Sequence, residues 1–329
     1  MSLRIGVAGV GSLGFHHARL ARDLPGTTFA GIFDTDRARQ EEVSRELGVK
    51  AHGALESLLD ASDAVVIAVP TSAHEAVGIA ALERGVHVLI EKPIAHTIAG
   101  ADAILEAAAG SGAAVQIGHV ERFNGALRAA EPYLDELLFV ESHRLAAFGP
   151  RGTDVAVVLD LMIHDLDLVL SLAKRPVTGI AAAGIPVLTP SPDIANARLE
   201  FEGGGVANLT ASRVSMERLR KIRFFQPNGY ISLDLALGRG EFLRLRPGLS
   251  LEPGAHVAAG SLEGLVERVE LVGDGREPLR VELESFVAAV RGEAPVKVSG
   301  EDGRRALAAA LEIVDRIEDH VAATNSARA

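Results

Sequence analysis

Residues 3–14 run Leu3-Arg4-Ile5-Gly6-Val7-Ala8-Gly9-Val10-Gly11-Ser12-Leu13-Gly14. Through Val10 the run is apolar apart from Arg4 and partly β-branched, as suits a short strand. The segment HHARLARDL at residues 16–24 follows, with the composition of a helix. A strand, then G-x-G-x-x-G, then a helix is the setting in which spaced glycines cradle a dinucleotide. Gly9 would make the tight turn, Gly11 would let the backbone approach a pyrophosphate, and Gly14 would let the helix pack close to the strand. Ser12 and Leu13 lie between them, where N–H groups at a helix N-terminus meet phosphates. A plain glycine turn would also explain three glycines, so the neighbouring segments have to decide.

They continue the pattern. Residues 28–33, TFAGIF, read as a second strand ending at Asp34. Asp34 stands about 20 residues beyond Gly14, where an acid accepts hydrogen bonds from the adenosine ribose. The same carboxylate would repel a 2′-phosphate, so NAD is favoured over NADP. The alternative for Asp34 is a cap on the helix DRARQEEVSREL, residues 36–47. Further apolar strands lie at residues 64–69, 86–90 and 113–118, with helical segments between them. Continuous apolar strands alternating with helices indicate a parallel sheet covered on both faces. Ligands bind beyond the carboxyl ends of such strands. Pro70, Thr71, Glu91, Lys92 and His119 fall at those ends, and His74 follows Thr71 into the next helix.

After about residue 122 the rhythm changes. A helix is expected near 123–135, then closely spaced strand-like segments: LLFVESHRLAAF, VTGIAAAGIPV, IANARLEFEGG, GVANLTASRV, RKIRFFQ, GYISLDL and EFLRLRP. Ala197, Leu199 and Phe201 alternate with Arg198, Glu200 and Glu202, the mark of a sheet with one wet face. Hairpin signals stand at Gly203-Gly204-Gly205 and at Asn228-Gly229. Two late helices follow, near 279–291 and 303–323, and the closing NSARA reads as frayed. The fold class is thus an α/β Rossmann domain, residues 1–121, followed by an α+β domain, residues 122–329, with a large, mainly antiparallel open sheet.

Composition bounds the function. The 329 residues include no cysteine, which excludes disulfides, zinc–thiolate sites and thiol catalysis. The net charge of −11 argues against nucleic acid as a partner. No apolar run approaches the roughly 18 residues of a membrane helix. The N-terminus lacks the pattern of a signal peptide, so a soluble cytoplasmic protein is expected.

The stretch DLMIHDLDLVL, residues 160–170, is apolar enough for a buried helix yet carries three acids and a histidine. At about 100° per residue, Asp160, His164, Asp167 and Ser171 share a stripe about 60° wide, which suggests a face on a cleft. A carboxylate one turn from an imidazole fixes its tautomer, as a general base for an alcohol proton requires. Two other readings stay open. The acids could meet arginines such as Arg144 or Arg213, or Asp160, His164 and Asp167 could ligate a metal. No further ligand cluster is evident, and no metal is expected. Lys92 is the second candidate, since Pro93 restricts its backbone and could make the bond between them cis. A cation there could polarise a carbonyl or relay a proton, against the plainer reading of a surface lysine.

Gly9-Val10-Gly11-Ser12-Leu13-Gly14, Glu91-Lys92-Pro93 and Asp160-Leu161-Met162-Ile163-His164-Asp165, in this order, resemble the glucose–fructose oxidoreductase, inositol dehydrogenase and MocA family. The resemblance covers nearly the whole chain. It implies an NAD(P)-dependent sugar or polyol dehydrogenase, with Lys92 positioning substrate and relaying a proton. It implies His164 as the acid/base, Asp160 beside the substrate and the imidazole, and a homodimer or homotetramer formed through the open sheet. The string GHVERFN, residues 118–124, paired with LDLMIHDLDLVL, is similar to the nucleotide-sugar branch, which includes oxidation of the 3-hydroxyl of UDP-N-acetylglucosamine. Family members often carry an aromatic where this chain has His119. Arg122 would then contact the cofactor or a diphosphate. Free sugars or polyols, an NAD-responsive regulator without catalysis, and elimination through transient oxidation are the competing functions.

Overall fold

The computed structural model describes residues 2–149, 155–246 and 262–328. Pro247, which closes the last strand-like segment, and Ala329 of the NSARA end lie outside the described residues. The chain divides into two compact units, Met1–Val120 with Glu277–Ala308, and Glu121–Arg276 with Ala309–Ala329.

The first unit alternates strand and helix: β1 (Leu3–Ala8), α1 (Ser12–Arg22), β2 (Thr27–Phe33), α2 (Arg37–Leu47), α3 (Leu55–Asp60), β3 (Ala64–Ile67), α4 (His74–Leu82), β4 (His87–Glu91), α5 (Ile98–Ser111) and β5 (Val115–Gly118). All strand pairs are parallel, in the order β2-β1-β3-β4-β5. The order reverses at β1, which creates the crevice where ligands of this fold bind. Every residue of β3 is buried, as its unbroken Ala-Val-Val-Ile run requires of a strand covered on both faces.

The second unit holds α6 (Gly125–Ala130), β6 (Phe139–Leu145), α7 (Ile163–Ala173), β7 (Val177–Ile185), β8 (Ile194–Phe201), β9 (Val206–Ser212), β10 (Leu219–Gln226), β11 (Gly229–Asp234), β12 (Arg239–Leu245), α8 (Leu262–Leu265) and β13 (Val266–Val272). The sheet runs β13-β12-β11-β10-β6-β9-β8-β7. Every neighbouring pair is antiparallel except β6 with β9 at its centre. On β8 the side chains of Ala195, Ala197, Leu199 and Phe201 are buried, while Asn196, Arg198 and Glu200 are exposed. Helix α7 packs on β6 and β9. The expected hairpins are present, with Gly203 and Gly204 at φ of 88° and 92° joining β8 to β9.

Three elements differ from the sequence expectation. The helix expected near 123–135 is a 3-10 turn at Val120–Phe123, then α6, then a second 3-10 turn at Glu131–Tyr133. Asn124 caps α6 by accepting the Ala126 N–H at 3.0 Å, which starts a new helix there. Strand β13 has no counterpart among the strand-like segments read from the sequence. Its Glu267, Arg268 and Glu270 suit an edge strand, which charge protects from further pairing. The last helix, α10 (Gly300–Arg328), continues through most of NSARA.

Helix α9 (Pro278–Val290) returns to the first unit. Its Leu283, Phe286 and Val287 join the core formed by Ile5, Val7, Leu20 and Leu89. Burying a side chain such as Phe286 contributes about 1.5–3 kcal/mol. Just before α10, Ser299 forms an antiparallel bridge to Gln116 and Val298 accepts the Ile117 N–H at 3.0 Å. This pairing covers the open edge of β5. No helix among the described residues is long and apolar enough to cross a membrane.

Candidate functional site

The glycine loop shows why each glycine is needed. Gly9 has φ of 84°, and a Cβ there would lie 2.6 Å from the Ala68 carbonyl. A Cβ at Gly14 would lie 1.9 Å from the Gly9 oxygen. At Gly11 a Cβ would meet nothing within 4 Å, so this edge of the loop is open to a ligand. Gly11 is the N-cap of α1 and brings no capping side chain, at a helix end suited to an anion. Ser12 and Leu13 are exposed beside it.

Asp34 ties the end of β2 to this loop. Its Oδ2 accepts the Val10 N–H at 2.6 Å and its Oδ1 accepts the Asp36 N–H at 2.9 Å. The cap of α2 is Asp36, which accepts the Arg39 N–H at 3.1 Å. The capping alternative therefore belongs to Asp36 and not to Asp34. Each Asp34 oxygen retains a second lone pair for a ribose hydroxyl. The nearby cations that could take a 2′-phosphate are engaged with backbone. Arg39 donates to the Val10 carbonyl at 3.0 Å and Arg37 to that of Gly53. The loop, helix end and acid fit NAD, whose chemistry is to accept a hydride.

At the end of β3, Pro70 is exposed and Thr71 half-buried, and Thr71–Ala73 make one 3-10 turn before α4. His74 is buried, and its two ring nitrogens lie 2.9 Å from the Pro93 oxygen and 3.0 Å from the Val69 oxygen. Burial lowers its pKa against the opposing pull of these carbonyls. A neutral imidazole has one N–H, so His74 donates to one of these carbonyls and packs against the other, between the residues that follow β3 and β4. Glu91 is also turned inward, with Oε1 2.6 Å from His17 Nε2 and Oε2 accepting the Lys92 N–H at 3.2 Å. Both side chains brace the strand ends that carry the other candidates. Lys92 is half-buried at the strand end, and its bond to Pro93 is cis. His119 is buried at the end of β5.

In the second unit, the charged helix resolves residue by residue. Val158–Met162 form a π-helical turn that leads into α7. A π turn holds more residues than an α turn, so the 100° stripe does not carry through Asp160. Asp160 and His164 are half-buried, whereas Asp165 and Asp167 are buried. Asp165 takes Arg144 in a two-pronged pair at 2.8 and 3.0 Å. Arg144 also reaches Glu121 at 2.9 Å. Burial opposes the charge of Arg144, but Asp165 and Glu121 outweigh it and raise the pKa. Arg122 forms a second two-pronged pair with Asp167, at 2.6 and 2.7 Å. Two of the acids therefore meet arginines, as one of the open readings held. Arg213 meets a different acid, Asp193, at 3.5 Å.

The structure thus gathers the glycine loop, Asp34, Pro70, Thr71, His74, Glu91 and Lys92 along one end of the parallel sheet. It places Asp160, His164 and Arg122 in the second unit. Sequence reading missed His17 and Glu282. Glu282 carries a signal, since positions 279, 282, 283 and 286 form one helix face and only Glu282 on it is polar.

Comparison with known proteins places these features. Residues 3–119 match the oxidoreductase family with an NAD-binding Rossmann fold, and residues 113–232 match the GFO/IDH/MocA C-terminal domain. The UDP-N-acetylglucosamine 3-dehydrogenase of Acidithiobacillus ferrooxidans is 38% identical over 325 residues, covering 96% of this chain and 97% of that protein. A solved structure of that dehydrogenase superposes with a TM-score of 0.88 at 35% identity, over 97% of this chain and 99% of the other. The scyllo-inositol 2-dehydrogenase (NAD(+)) of Bacillus subtilis is 28% identical over 232 residues, 65% of this chain and 68% of that protein. A Lactobacillus casei scyllo-inositol dehydrogenase solved with NAD(H) and scyllo-inositol shares the fold, with a TM-score of 0.76 at 20% identity, over 97% of this chain and 98% of that one.

Proposed function

The chain belongs to the GFO/IDH/MocA family of oxidoreductases, and on that premise we propose that it oxidises the 3-hydroxyl of UDP-N-acetylglucosamine with NAD as acceptor. The observation that carries the substrate is end-to-end similarity to a dehydrogenase of that sugar, at 38% identity. The first unit supports the cofactor half, with an open Gly11 edge, a helix N-terminus without a capping side chain and an acid at the end of β2.

In this reading His164 takes the proton from the sugar hydroxyl while Lys92 orients the oxygen and relays charge. Asp160 holds the imidazole and the substrate. NAD, when bound, receives the hydride from the same carbon, and the protein's task is orientation and charge placement. Ketone reduction uses the same groups in reverse. Arg122, held by Asp167, contacts the cofactor or the diphosphate of the substrate.

A homodimer or homotetramer through the outer face of the eight-stranded sheet belongs to the same proposal. It is supported by Phe225, 37% exposed, whose ring centroid lies 5.8 Å from that of Phe139 and 4.8 Å from that of Tyr230. Action in the cytoplasm, where NAD and nucleotide sugars are available, completes it.

The inositol dehydrogenases among its relatives favour a second reading, oxidation of a free polyol. The test is NADH formation from NAD with UDP-N-acetylglucosamine, other UDP-sugars and inositols in parallel. Turnover of the UDP-sugar supports the proposal, turnover of inositol alone replaces it, and NAD binding without turnover of any sugar points to a regulator.

A further inference from the structure

Three titratable side chains meet in the interior of the first unit: His17 from α1 and Glu282 from α9, both 0% exposed, and Glu91 from β4, 6% exposed. One ligand atom from each lies within 4.8 Å of the others. Glu91 is satisfied at both oxygens, by His17 Nε2 at 2.6 Å and by the Lys92 N–H at 3.2 Å. Glu282 is not. Its backbone oxygen accepts from Gln116 Nε2 at 3.3 Å, but neither carboxyl oxygen has a hydrogen-bond partner among the described residues.

An ionised carboxylate so placed would be costly, and two carboxylates sharing one site do not both ionise. A cation could occupy such a cluster, but ligand atoms bonded to one ion at about 2.0–2.2 Å stand roughly 3 Å or more apart. The 2.6 Å between His17 and Glu91 is a hydrogen-bond distance. A proton therefore suits the cluster better than a metal.

We infer that Glu282 is a positioning residue: as a neutral carboxylic acid it donates toward the Glu91 carboxylate through one buried water, and steadies the strand end that carries Lys92. This rests on the reading that Lys92 acts in turnover. The groups facing Glu282 are His17, Glu91 and the neutral Gln116. Burial, and then the charge of Glu91, hold the Glu282 carboxyl well above the usual carboxylate range. Ionisation at high pH would set two like charges against each other and loosen the turn at Lys92.

Two variants and two readouts test this. Infrared spectra of the intact protein at neutral pH should contain the C=O stretch of a protonated carboxyl that is missing from E282Q. E282A should lower kcat by about tenfold to a hundredfold, the scale of a misplaced catalytic group, without weakening NAD binding. E282Q keeps a donor toward Glu91 and cannot ionise, so its alkaline limb of kcat should move to higher pH. The inference is overturned by the absence of the infrared band, by a divalent ion bound one per chain in the wild type and lost in E282Q, or by wild-type kcat in E282A. A wild type that oxidises no sugar would overturn the positioning role together with the reading of Lys92. The infrared band would then still report on the proton of Glu282.

Discussion

The guanidinium of Arg122 lies against the carboxylate of Asp167, with Nε to Oδ2 at 2.6 Å and Nη2 to Oδ1 at 2.7 Å. Their side chains are 11% and 1% exposed. This pair explains one of the charges on an otherwise apolar helix, and Arg144 with Asp165 explains another. Removing one partner of a buried pair leaves the other charge uncompensated, at a cost of about 3–5 kcal/mol. Asp167→Ala should therefore lower unfolding stability on that scale in urea titrations, with no change in the slope. A loss below about 1 kcal/mol would class the pair with exposed surface bridges.

Asp34 offers a test of cofactor choice. Its carboxylate organises the glycine loop through Val10 and, in the proposed complex, also receives the ribose hydroxyls. Asp34→Ala should weaken NAD binding about tenfold or more, the worth of a charged hydrogen bond, and narrow the preference over NADP. Titration of both cofactors by calorimetry would measure this. Unchanged affinity for NAD would remove Asp34 from the site.

Asp193 supplies a pH dependence of stability. It is fully buried, and its Oδ2 accepts the N–H groups of Val187, Leu188 and Thr189 at 2.6–2.9 Å. Burial opposes its ionisation, but these three donors and the Thr189 hydroxyl outweigh it and bring the pKa from 3.8 to about 2. The folded state binds the proton more weakly than the unfolded one. The stabilisation is therefore complete above the unfolded value of 3.8 and is lost as pH falls from there towards about 2. Asp193→Asn should lower stability at neutral pH by about 2 kcal/mol and flatten the acid limb of unfolding. An unchanged acid limb would show that other carboxylates dominate it.

The sequence disclosed most of the first unit because its signals are local. Continuous apolar strands, three spaced glycines and Asp34 each follow from steric or pairing rules that act over a few residues. The resemblance reached Lys92 and His164 by motif, and His164 then fell on a regular helix. What stayed hidden depends on partners distant in the chain. Nothing in the VERVELV sequence of β13 separates a charged edge strand from a short helix, because its apolar residues suit both periods. The pairing of Asp165 and Asp167 with Arg144 and Arg122 spans 21 and 45 residues. The inward turn of Glu91 required His17, 74 residues away. The π turn at Val158–Met162 has no marker in composition, and it altered the angular arithmetic for Asp160.

The proposed function rests on Lys92 and His164 acting on a nucleotide sugar. Its most direct test is steady-state NADH formation from NAD and UDP-N-acetylglucosamine by the wild type, Lys92→Ala and His164→Ala, with NAD binding measured in parallel. The expected result is turnover by the wild type and a loss of about a hundredfold to ten-thousandfold in each variant, with NAD still bound, as removal of a positioned acid/base predicts. Near-wild-type turnover in both variants, or no NADH from the wild type with this sugar, would contradict the account.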